Sequence, residues 1–275
     1  MSIEGTNVAE DLTTAGQQQP QPPLDTSIPQ TARIWNYWLG GKDNFAVDRQ
    51  VGDEIRKAFP QIVENARASR AFLVRSVGFV TREAGIRQFL DVGTGLPTAD
   101  NTHEVAQRIA PESRIVYVDF DPLVLVHARA LLTSSPQGVT DYVDADGRDS
   151  EKVLGEAGKT LDFGKPVGLI MSGILGHVTD DEEAQAMVRA YVEALPSGSY
   201  FIALDGSRSE KHTEAEKIWN EQANPPYLLR SHAEFARFFD GLELVEPGVV
   251  SAPAWRPGPG EVQPLDVVCG VARKP

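Results

Sequence analysis

Five short apolar runs between residues 87 and 205 constrain the fold of this 275-residue chain more than any other feature. They are RQFLDVG (87–93), RIVYVDF (114–120), TDYVDAD (140–146), PVGLIMSG (166–173) and GSYFIALD (198–205). Each has strand length, and the fourth carries no charge, as a strand covered on both faces should. Helical patterns separate them. Residues 101–110 suit a helix. Asp121-Pro122 opens another, a capping side chain followed by Pro at the first helical position. Ala184, Met187, Val188, Tyr191, Val192 and Leu195 form the apolar stripe of a third. This alternation predicts an α/β fold with a doubly wound, mostly parallel sheet. LELVEPGVV and PLDVVCGVA follow, joined by the Pro/Gly-rich SAPAWRPGPG rather than a helix. They predict an antiparallel pair at the sheet edge.

The chain before the first run reads differently. Residues 1–27, with QQQPQPP at 17–23, lack core-forming side chains and predict a disordered tail. Residues 28–85 read as a helical cap. TARIWNYWLGG is a short helix stopped by glycines. DRQVGDEIRKAFP is a second helix, with Asp48 as its cap and Pro60 after its end. Residues 61–84 are a long helix with Ile62, Ala66, Ser69, Leu73, Val77, Val80 and Ala84 on one face. Residues 86–275 then form the sheet domain.

The formal net charge of −13 disfavours nucleic acid and anionic lipid as main partners. Cys269 is the single cysteine, so no internal disulfide forms, which suits a reducing cytoplasm. No apolar run is long enough to span a membrane. The N-terminal MSIEGTNVAEDL has neither the basic nor the apolar region of a signal peptide. The expected location is cytoplasmic.

Chemistry concentrates at the ends of the predicted strands. In FLDVGTGLPTADN, Asp91 closes the first strand and Gly93-Thr94-Gly95 turns into the next helix. Ligands of open α/β sheets bind at these carboxyl ends. The dinucleotide fingerprint requires a third glycine where Thr98 stands. An acid two places before the first glycine opposes a pyrophosphate and favours a ligand with an ammonium group. S-adenosylmethionine has an amino group, a sulfonium and no phosphate, so D-x-G-x-G points to it. Asp119, followed by Phe120, ends the second strand, where an acid can accept from ribose hydroxyls. Asp121 is better explained as a helix cap. Asp146 ends the third strand, placed to accept from an adenine amino group, with the backbone at Gly147 beside it; Asp144 competes on the same face.

With these motifs in view, LDVGTGLPT…VDFDPLVL…VDADGRD resembles the class I S-adenosylmethionine-dependent methyltransferases. The remainder resembles one actinobacterial family of them, the S-adenosyl methyltransferases, formerly a domain of unknown function. ARIWNYWLGGKDNFAVDR, GTGLPT…NTHEVAQ and FARFFDGLELVEPG with WRP carry that likeness over residues 28–273. The resemblance implies a Rossmann-like sheet of seven strands with a helical N-terminal cap. It also implies that Gly93, Thr94 and Gly95 face the methionine part of the cofactor, Asp119 the ribose and Asp146 the adenine. Gly147 departs from the apolar side chain more usual there, and MSGILGHV, with Ser172 and Gly173, is smaller than usual after the fourth strand.

Methyl transfer needs positioning and exclusion of water more than a strong catalytic motif, and none is visible. His177, just past the fourth strand, is the candidate general base; His212 lies in what looks like a solvated helix start, and His103 and His127 read as structural. No metal-ligand spacing occurs. Trp219 and Tyr227, in the segment 206–232, suit either an aromatic pocket for a small-molecule acceptor or a packed surface helix. Gly40-Gly41-Lys42 is not a phosphate loop, because Asp43 replaces the required Ser or Thr. The expectation for GGKDNF is a lid over the strand ends, with Tyr37, Lys42 or Asn44 reaching the ligand. Two other readings remain open: a nicotinamide oxidoreductase, and a non-catalytic S-adenosylmethionine-binding regulator.

Overall fold

The computed structural model describes residues 25–131, 133–260 and 262–275. The tail expected over 1–27 lies almost wholly outside these residues. The strands are β1 (Gln88–Val92), β2 (Arg114–Asp119), β3 (Val139–Asp144), β4 (Gly168–Ser172), β5 (Tyr200–Gly206), β6 (Glu243–Leu244), β7 (Val250–Ser251) and β8 (Val267–Arg273). They form one sheet in the order β3-β2-β1-β4-β5-β8-β6, with β7 also on β8. β1 to β5 are parallel, and β8 runs antiparallel to β5. Seven strands were expected and the described residues form eight, because LELVEPGVV breaks in two. Leu244 pairs with Ala272 and Val250 with Cys269, along the edge of β8 that β5 leaves free. Between them a turn closes from Gly248 N–H to the Val245 carbonyl at 2.8 Å.

The helices of the sheet layers are α3 (Ile62–Arg82), α4 (Thr102–Ile109), α5 (Pro122–Leu131), α6 (Ser150–Ala157), α7 (Asp181–Ala194) and α9 (His232–Ala236). Strand side chains alternate between two cores, as a period of two requires. Phe89, Ile115, Tyr117, Ile170 and Ile202 pack with Phe72, Leu73 and Val77 of α3 and Val105 of α4. Leu90, Val92, Val116, Val118, Leu169 and Met171 pack with Val153 of α6, Val188 and Tyr191 of α7 and Phe235 of α9. Both faces are therefore covered, which explains the near-continuous apolar runs. The Pro/Gly-rich link is more than a connection: Trp255 within it is fully buried, edge-on to Phe72 at 5.4 Å and to Phe79 at 5.8 Å.

A third core builds the cap. Ile34 and Trp38 of α1 (Thr31–Trp38) meet Val51 and Ile55 of α2 (Ala46–Ala58), the start of α3, and Ala215 and Trp219 of α8 (Glu210–Gln222). The cap is thus completed by a helix encoded after β5. His212 of α8, expected near solvent, is buried and stacks on Phe59 at 4.5 Å. Asp48 is not the cap of α2. The helix begins at Ala46, so Asp48 sits in its first turn and reaches back to Phe45 N–H at 2.8 Å.

Asp48 also forms a fully buried ion pair with Arg33 at 3.0 Å. Its second oxygen takes the Gln30 N–H at 3.0 Å. Arg33 donates further to the carbonyls of Asp25 and Ile28 and lies over the Phe45 ring at 5.1 Å. This cluster joins α1 to α2 and holds the chain just before α1. Removing one partner of a buried pair strands the other charge, at a cost of about 3–5 kcal/mol. We expect Asp48→Ala to lose that much stability by chemical denaturation. The double variant Arg33→Met/Asp48→Leu should lose markedly less; equal losses would show that the charge is not what matters.

Candidate functional site

In the sheet order, β1 lies between β2 and β4, and the chain leaves β1 and β4 toward opposite sides. A crevice opens at such a point, beyond the carboxyl ends of the strands. Here it is a cavity of about 350 Å³. Asp91, Gly93, Thr94, Gly95, Asp119, Phe120, Asp146, Gly147, Ser172, Gly173 and His177 all line it. The residues singled out along four strand ends in the sequence thus converge on one space.

The glycine loop is shaped by its neighbour across the crevice. Gly93 has φ of 75°, and a Cβ there would overlap the side chain of Ile174. Only glycine satisfies both constraints. Gly93 and Thr94 N–H both donate to the Val118 carbonyl, which fixes the loop against β2. Gly95 N–H donates to Asp119 at 2.9 Å, so the first strand's loop is clasped by the second strand's acid. The other oxygen of Asp119 takes the N–H of Asp121 at 2.9 Å. Asp121 in turn caps α5 through Leu123 N–H at 2.8 Å, as its sequence context predicted.

The two central acids are perturbed. Burial pushes the Asp91 carboxyl up to about 6, against the opposing effects of its hydrogen bond from Thr102 and of nearby Arg70. Thr102 Oγ1 donates to it at 2.6 Å from the start of α4. Burial also pushes Asp119 up to about 6, against the backbone N–H groups it accepts. Both cost free energy to ionise at these buried positions. A bound cation or hydrogen-bond donor recovers that cost. Asp146 differs: its bond to Arg148, at 2.5 Å, holds it below the usual carboxylate range. Asp144 is exposed and is not on the cavity wall.

Sequence reasoning missed Arg70. It lies on the cavity wall from α3, donates to the carbonyl of Asp100 at 3.0 Å, and keeps a buried Nε without a partner. Its position in an amphipathic helix gave no signal beyond a charge. Ile174 and Met187 were also missed; with Phe120, 56 % exposed, they give the cavity an apolar side. The glycine at 147 has a steric reason: a Cβ there would lie 2.7 Å from Val92 Cγ1.

The lid expectation is corrected. The cavity wall from α1 and its C-cap is Thr31, Ala32, Trp35, Asn36 and Leu39, one helical face. Tyr37, Lys42 and Asn44 are not on it. Tyr37 points away and donates to Asp53 at 2.8 Å, and Lys42 is exposed. Asn44 donates to Asn36 Oδ1 at 2.9 Å, and Asp43 N–H to the same atom at 3.0 Å. Gly40, at φ of 81°, ends α1, and Gly41 leaves room for the Asn36 amide. The turn therefore clamps a buried asparagine of the wall and stops short of the ligand space.

His177 lies in a short 3₁₀ turn, Leu175–His177, after β4. Its Nδ1 is 2.9 Å from the Pro226 carbonyl. A carbonyl only accepts, so Nδ1 carries the proton and Nε2 holds the lone pair. Burial pulls its pKa below the ordinary histidine value, so the ring is neutral at neutral pH.

A parallel sheet with this crossover, acids on three adjacent strand ends and no pyrophosphate-binding glycine pattern define an S-adenosylmethionine-dependent methyltransferase of class I. The comparisons give the same class, and a profile described as S-adenosyl methyltransferase matches residues 17–275; the chain belongs to that family. It is similar to a DUF574 family protein from Streptomyces avermitilis MA-4680, with 42% identity, 91% of this chain and 99% of that one covered, and a TM-score of 0.88. It is also similar to a candidate methyltransferase from Thermobifida fusca YX, with 39% identity, coverage of 91% and 96%, and a TM-score of 0.85. Mitomycin 7-O-methyltransferase MmcR, at 15% identity, coverage of 88% and 68% and a TM-score of 0.50, shares the fold alone. No curated protein matches the chain. The nicotinamide and non-catalytic readings give way to a methyltransferase. Among the described residues, no helix is long and apolar enough to cross a membrane, and no metal-binding cluster occurs.

Protonation gives a test. A ligand ammonium group beside Asp91 and ligand hydroxyls donating to Asp119 would favour the charged forms of both acids, so binding should lower their pKa values from about 6. Affinity for S-adenosylhomocysteine should be full above that pH and fall as pH drops through it. Calorimetry in buffers of different ionisation heat should record proton release near pH 6. A pH-independent affinity would remove both acids from the binding step.

Proposed function

We propose that the cavity holds S-adenosylmethionine with its methionine end at Gly93-Thr94-Gly95 and its adenosine end toward β3, and that the methyl acceptor is a small molecule. The carrying observation is the single cavity that gathers Asp91, Asp119 and Asp146 beside the glycine loop. The residues fit the group. Asp91 suits the α-ammonium, and Arg70, with a free buried Nε, suits the carboxylate. Asp119 suits the ribose hydroxyls, because each of its oxygens keeps a lone pair after taking one backbone N–H. Asp146 is kept ionised by Arg148, which takes both of its oxygens, so Arg148 must yield one of them for Asp146 to accept from the adenine amino group. Phe120, Ile174 and Met187 suit the faces of the ring.

When bound, S-adenosylmethionine supplies a methyl group whose bonding pair stays on sulfur, giving S-adenosylhomocysteine, while the acceptor atom gains the carbon and sheds a proton. The chain's own residues position and exclude water. The neutral His177, with its free pair on Nε2, takes the shed proton. Its lowered pKa sets the direction: activity is full above the ordinary histidine range and falls on acidification as the imidazole charges. A lone, buried Cys269 supports a cytoplasmic location.

Calorimetry with S-adenosylmethionine and S-adenosylhomocysteine tests the donor site directly; no heat and no thermal shift would end this reading. Asp119→Ala should weaken binding by about 1–3 kcal/mol, the range for an unmade charged hydrogen bond. His177→Ala should leave that affinity unchanged while slowing transfer of labelled methyl by roughly 10²–10⁴-fold.

A further inference from the structure

A second, smaller cavity of about 50 Å³ adjoins the first. The two share Trp35, Ser69, Gly173, His177 and Leu204 on their walls. His177 thus lies on the wall common to both. The annex lies between α1, α3, α8 and the end of β5, at the seam of cap and sheet. At about 50 Å³ it takes an amine head group but not a whole aromatic ring, so the body of an acceptor extends out of it.

Its walls have a definite chemistry. Three of the chain's four tryptophans line it, Trp35, Trp38 and Trp219, together with Tyr227. The Trp38 and Trp219 rings lie 6.4 Å apart, and Trp219 and Tyr227 lie 6.3 Å apart. The His177 ring is 4.9 Å from Tyr227 and 5.9 Å from Trp219. Two carboxylates, Asp205 and Glu216, are on the wall, and no Lys or Arg is. Asp205 is largely engaged by the N–H groups of Gly176 and Gly206 and by the Tyr227 hydroxyl, with one lone pair left on Oδ2. Glu216 spends one oxygen on Leu229 N–H at 2.6 Å, and its other oxygen has no partner among the described residues. Aromatic faces with a carboxylate to spare attract cations and repel anions.

We propose that the annex is the acceptor site and that the acceptor presents an amine, held as its ammonium form by the tryptophan faces and Glu216. This rests on the methyltransferase reading and names the substrate class of the same site. Before transfer, one N–H bond of the ammonium breaks, its proton passes to Nε2 of His177, and the freed pair on nitrogen becomes the nucleophile.

The test uses benzylammonium, benzyl alcohol and benzoate as one-ring probes, titrated by ligand-observed NMR into the full chain with and without S-adenosylhomocysteine. Benzylammonium should bind about ten-fold tighter than benzyl alcohol, and benzoate should bind more weakly than either. Glu216→Gln keeps the acceptor for Leu229 N–H but removes the charge. It should erase most of the preference for benzylammonium and leave S-adenosylhomocysteine affinity unchanged. Trp219→Leu should weaken benzylammonium in the same way. Equal or tighter binding of benzyl alcohol would overturn the amine assignment. A preference that survives in a folded Glu216→Gln variant would overturn the annex as its site. S-adenosylhomocysteine binding is read separately, so a failure of the donor site cannot be confused with a failure of the annex.

Discussion

The constraint on which the rest depends is the reversal at β1 and β4. Two adjacent parallel strands whose chains depart to opposite sides cannot have their carboxyl ends covered by one connection. What fills the gap must come from elsewhere in the sequence. Here it comes from α1 and α3 on the N-terminal side and from α8 and the loop before α9 on the C-terminal side. The reversal also decides how tight the two facing loops are. Gly93 gives way to Ile174 because both loops turn out of neighbouring strands at the same level.

Electrostatics follow from that geometry. Strand ends buried by a cap are poorly solvated, so acids placed there resist ionising. Asp91 and Asp119 both show this, while Asp146, nearer the rim and bound to Arg148, does not. The same poor solvation keeps His177 neutral. One physical cause thus gives acids that gain from a cationic or hydrogen-bonding ligand and an imidazole that is neutral at neutral pH. The cap provides this environment, and the buried pair of Arg33 and Asp48 joins its first two helices.

The legible parts of the sequence were those governed by neighbours in the chain. Strand runs, the cap at Asp121, the glycine loop and Asp119 at the end of β2 depend on local periodicity or local turns and lie where that pattern put them, whereas β3 ends at Asp144 and leaves Asp146 in the loop two residues on. What depends on contacts across the fold was not legible. Arg70 looks like any charge on an amphipathic helix until α3 is laid over the crevice. Trp255 sits in a stretch whose prolines and glycines suggested only a link, yet it fills the core beside Phe72. His212 looked solvated among Glu and Lys residues, but α8 turns that face onto Phe59. Tyr37, Lys42 and Asn44 drew notice by arriving together. Their partners Asp53 and Asn36 show that the grouping serves the helix wall.

The shared wall of the two cavities has a consequence for how such a chain can diversify. The donor cavity draws its acids and glycines from three strand ends within residues 91–147, whereas most of the annex comes from 205–229 and the aromatic face of α1. The two sets are separate stretches of the gene product that touch mainly through Trp35, Gly173 and His177. On the proposed assignment, variation in the second stretch alters what is methylated while the residues that grip the methyl source stay as they are. A fold arranged in this way can acquire new acceptors by exchanging one helix and its following loop, without reinventing its chemistry.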